Sequence, residues 1–142
     1  HLSKIQLKEF SILFIMLNYF DIVFQKSLDL SKIKFETPAN ESLKNDIIKS
    51  LQSEKDKDLF KSKIFNENEK LIAEIQENSS IQIILTNKNN ESIIDLLGEL
   101  LIELEELKNQ KKIESLEKDL VNNLDENSFS ELIKLKSQIN RE

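Results

Sequence analysis

Chemistry in this chain would have to come from carboxylates. It carries 26 Asp and Glu residues, one histidine and no cysteine. Two paired carboxylates can divide acid and base work between them. Acids spread along amphipathic helices, however, ordinarily form the solvated face. His1 stands at the very terminus, which excludes a Ser–His pair and helical di-iron sites of the Glu-x-x-His type. Without cysteine there is neither a disulfide nor a thiolate metal site. The one glycine, Gly98, lies inside a helical pattern, so no phosphate loop or dinucleotide fingerprint can be written around it. The expectation is a chain with no catalytic residue, no metal and no cofactor. A bundle hydrolase built on paired carboxylates is the alternative from the enzyme class.

The charge balance narrows the partners. Net charge is −6, and the longest basic cluster is Lys108, Lys111 and Lys112. Phosphate neutralisation needs a clustered basic surface, so strong nucleic-acid binding is not expected. Residues 10–24 (FSILFIMLNYFDIVF) are the most apolar stretch, but they fall short of a membrane span and are interrupted by Asn18 and Asp21. Glu9 and the large side chains there do not fit a secretory signal. With no cysteine, a reducing cytoplasm is the expected location. Without an initiator Met, the chain is expected to be a piece of a longer protein.

The elements that would position any site are helices. One glycine and one proline leave few turns for a β architecture. A buried helix is expected over 4–18, with Phe10 and Phe14 at i,i+4 beside Leu13 and Leu17, and a short one over 19–27. Thr37-Pro38-Ala39-Asn40 reads as a loop, with Asn40 capping a helix over 41–53. Leu59, Phe60 and Ile64 mark a short helix over 57–64, and Asn66 with Glu69 caps another over 67–77. Residues 79–86 (SSIQIILT) alternate partly like a strand, but no second strand exists to pair with, and helix is expected.

The last third carries a helix that changes face. Residues 91–122 read as one rod. Ile94, Leu97, Leu101 and Leu104 share one side, and Ile113, Leu116 and Leu120 lie roughly opposite, after the interruption at 108–112. Glu91, Asp95, Glu99, Glu103, Glu105 and Glu106 leave its first half without a basic residue, a solvated face or a means of steering a basic partner. A turn at 122–125 and a final helix over 126–140 complete a helical hairpin. The fold expected is thus all-α: a multi-helix bundle over 1–106, then a hairpin over 107–142, sharing the long connecting helix. Ile113, Leu116, Leu120, Phe129 and Ile133 are expected to pack the hairpin. Leu132, Leu135, Lys136 and Ile139 are expected to face a partner, because two helices bury little apolar area by themselves. The pattern does not set an oligomeric state.

Two segments resemble a family. Glu9-Phe10-Ser11-Ile12-Leu13-Phe14-Ile15-Met16-Leu17, an acid, two spacers and an aliphatic run, is similar to the start of the C-terminal, helicase-binding domain of bacterial replicative DNA primases. The segment from Leu124 to Arg141, a polar turn and then a Leu-containing helix with a polar, basic end, is similar to that domain's close. Asn18-Tyr19-Phe20 departs from the aliphatic-proline step common in that family, and 30–90 is generic. The resemblance implies a non-enzymatic module that docks the primase onto the replicative hexameric DNA helicase, with the nucleotidyl-transfer and zinc-binding parts upstream. The amino-terminal domain of that helicase, or an unrelated helical adaptor, are the alternatives among binding proteins.

Overall fold

The computed structural model describes residues 1–78, 89–123 and 126–140. Among them the chain is all-α, with eight helices and no strand. These are α1 (Lys4–Asn18), α2 (Phe20–Gln25), α3 (Ser27–Lys32), α4 (Pro38–Ser53), α5 (Lys57–Glu67), α6 (Glu69–Asn78), α7 (Asn90–Asn123) and α8 (Glu126–Asn140). Two compact units divide the chain, His1–Leu101 and Ile102–Glu142. The division falls inside α7, before the lysine-rich interruption. None of the described helices is long and apolar enough to cross a membrane.

In the first unit α1 is the centre. Every residue from Glu9 to Leu17 is buried. The helix packs against α2, α4 and α6. Neighbours on several sides explain why this stretch is apolar all round and carries no single stripe. Ser3 starts it with a capping box: its hydroxyl accepts from the Gln6 amide at 3.1 Å, and the Gln6 side chain accepts from the Ser3 amide at 2.9 Å. Phe20 of α2 meets Phe60 of α5 edge to face, with ring centroids 4.5 Å apart.

Several boundaries differ from the expectation for local reasons. Helix α4 begins at Pro38, not after Asn40. Proline has no amide to leave unsatisfied in a first turn. Helix α3 was not expected; a six-residue helix that buries only Leu30 has no readable period. Helix α5 continues to Glu67, and Asn68 closes it by donating its side-chain amide to the Ile64 carbonyl at 3.0 Å. Asn66 is therefore not the cap of α6. Residues 79–86 lie outside the described residues.

Asn40, freed from capping, joins a buried polar clamp. Glu9 is fully buried and its two carboxylate oxygens accept from the Glu36 amide at 2.7 Å and from the Asn40 side-chain amide at 2.9 Å. Glu41 accepts from the Phe35 amide at 3.0 Å and pairs with Lys44 at 2.9 Å. Lys44, itself buried, donates to the Ile33 carbonyl and lies over the Phe35 ring. Burial pushes the Glu41 carboxyl up, but the Lys44 ammonium and the Phe35 amide outweigh it and hold the group below its usual range. The clamp fastens the link between α3 and α4, whose backbone groups have no ladder to join.

In α7 the buried stripe of the first half is Ile93, Leu97, Leu100 and Leu104, with Ile94 and Leu101 at its half-buried margins. Gly98 stands exposed in the same helix, and a Cβ there would meet nothing within 4 Å. Gly98→Ala should therefore stabilise the chain by about 0.5–1 kcal/mol, the helix-propensity difference. Thermal unfolding followed by circular dichroism should show a raised midpoint; an unchanged or lowered one would contradict the open surroundings of this position.

Candidate interaction surface

The second unit holds the hairpin. Residues 124 and 125 alone separate α7 from α8. So short a link cannot run back the length of a helix, and the two helices are antiparallel. The turn expected around Leu124 and Asp125 lies outside the described residues.

Ile113, Leu116, Leu132 and Leu135 form the hairpin core, with Leu120 and Ile139 packed partly buried against it. Both helices thus contribute the same spacing, three residues and then four: 113, 116 and 120, then 132, 135 and 139. That is a short heptad seam, with a at 113, 120, 132 and 139 and d at 116 and 135. The charges agree with this frame. Lys112 pairs with Glu131 at 3.6 Å, a g position with a g position. Glu117 pairs with Lys136 at 3.1 Å, an e with an e. Antiparallel helices bring like-lettered flanks together in this way. All four side chains are about half exposed, so each pair contributes little stability but helps to fix the register.

The frame corrects two expectations. Phe129 and Ile133, expected inside the hairpin, are 54% and 53% exposed. Leu132 and Leu135, expected to face a partner, are buried in the seam, with Ile139 half-buried against it. Lys136 is exposed but already paired with Glu117. Of the expected packing set, Ile113, Leu116 and Leu120 keep that place. The physical reason is the step. The i,i+4 pair Phe129 and Ile133 forms a stripe displaced from the a/d line, whereas 132, 135 and 139 match the 3-4 spacing already present in 113, 116 and 120.

The two flanks of the seam are unlike. On the g and c side, Lys112, Ser115, Asp119 and Asn122 of α7 and Asn127, Glu131, Lys134 and Gln138 of α8 are all polar. On the e and b side stand Val121, Phe129 and Ile133, each more than half exposed. Val121 belongs to no expected site; its position one step past Leu120 in the heptad is the signal that would have found it. A hollow of about 430 Å³ opens beside it, lined by Glu114, Glu117, Lys118 and Asn122. Among the described residues no cluster of three or more metal-binding side chains occurs.

Comparison with known protein families, with curated proteins and with solved structures finds no match for this chain.

Proposed function

We propose that this chain is a non-catalytic interaction module of a cytoplasmic bacterial DNA primase, and that its terminal hairpin docks on the replicative hexameric helicase. The observation that carries the reading is the one-sided hairpin: a separate compact unit whose e and b flank exposes Val121, Phe129 and Ile133 while the opposite flank is polar. Exposed apolar groups gathered on one side of a small unit are the usual sign of a protein contact. The residues at the two ends of the chain, similar to those of the primase domain, supply the choice of partner. Docking there would hold primer synthesis at the unwinding fork, with the catalytic parts elsewhere in the parent transferase.

Calorimetric titration of the chain into the replicative helicase of the same organism tests this. The full chain should bind, Ile133→Glu should weaken binding by at least about tenfold, as for loss of a central apolar anchor, and removal of 124–142 should abolish it. No heat with the full chain, or undiminished binding by the shortened chain, would refute the reading.

A further inference from the structure

We draw no further inference here: the strongest candidate, the exposed acidic face of α7 at Glu91, Asp95 and Glu99, is a cluster of carboxylates on which no second feature among the described residues points to a ligand.

Discussion

Glu9→Ala should destabilise the first unit by about 3–5 kcal/mol, far more than an average substitution. The carboxylate is fully buried and holds two donors, the Glu36 amide and the Asn40 side chain. Alanine leaves both without an acceptor, at about 1–3 kcal/mol each, and opens a cavity beside α1. Relief of the buried charge offsets part of this, but the Glu36 amide belongs to the backbone and still loses its acceptor. Glu9→Gln keeps the shape and one acceptor, so its effect should be smaller. Urea unfolding gives the magnitudes, and hydrogen exchange at Glu36 gives the place: its protection should fall before that of α1. A loss below about 1 kcal/mol for Glu9→Ala would mean that the clamp is a passenger. The same residue opens the segment on which the proposed kinship with the primase domain rests. Here its carboxylate is used inside the fold, to tie the α3–α4 link to α1, and not on a surface.

What the sequence makes legible follows from the range of the interactions involved. The face change in α7 is a local property of one helix, and the spacing of Leu97, Leu104, Ile113, Leu116 and Leu120 shows it directly. The apolar run of α1 is equally plain, because a helix surrounded by others needs no polar face. The clamp is not legible. Glu9 and Asn40 lie far apart in the chain and meet only when α1 and α4 pack. Until then Asn40 beside Pro38 has every local reason to be a cap. The hairpin is the intermediate case. Both 129/133 and 132/135/139 are apolar series on α8, and α8 alone gives no reason to prefer one. The choice emerges only when α8 is set against the 3-4 seam of α7, with the two e–e and g–g ion pairs closing on that register.

Leu132→Ala should unfold the hairpin while sparing the bundle. Among the described residues, Leu132 is one of four well-buried side chains in its core. Truncating a buried leucine removes about 2–5 kcal/mol, comparable with all the stability a unit of this size can hold. The first unit has its own core around α1 and should keep its melting transition. Hydrogen exchange of the variant should therefore show the amides of 126–140 losing protection while those of α1 and α4 keep theirs. Phe129→Ala provides the comparison. At 54% exposed, its ring gives up little burial in the single chain, and the substitution should shift hairpin stability by less than about 1 kcal/mol. The two variants separate the possible registers. With the seam on 132, 135 and 139, Leu132→Ala is the damaging change and Phe129→Ala acts on docking alone. With α8 turned so that Phe129 and Ile133 face α7, the order reverses: Phe129→Ala would melt the hairpin, Leu132→Ala would spare it, and the exposed flank would be the one carrying Leu132, Leu135 and Ile139.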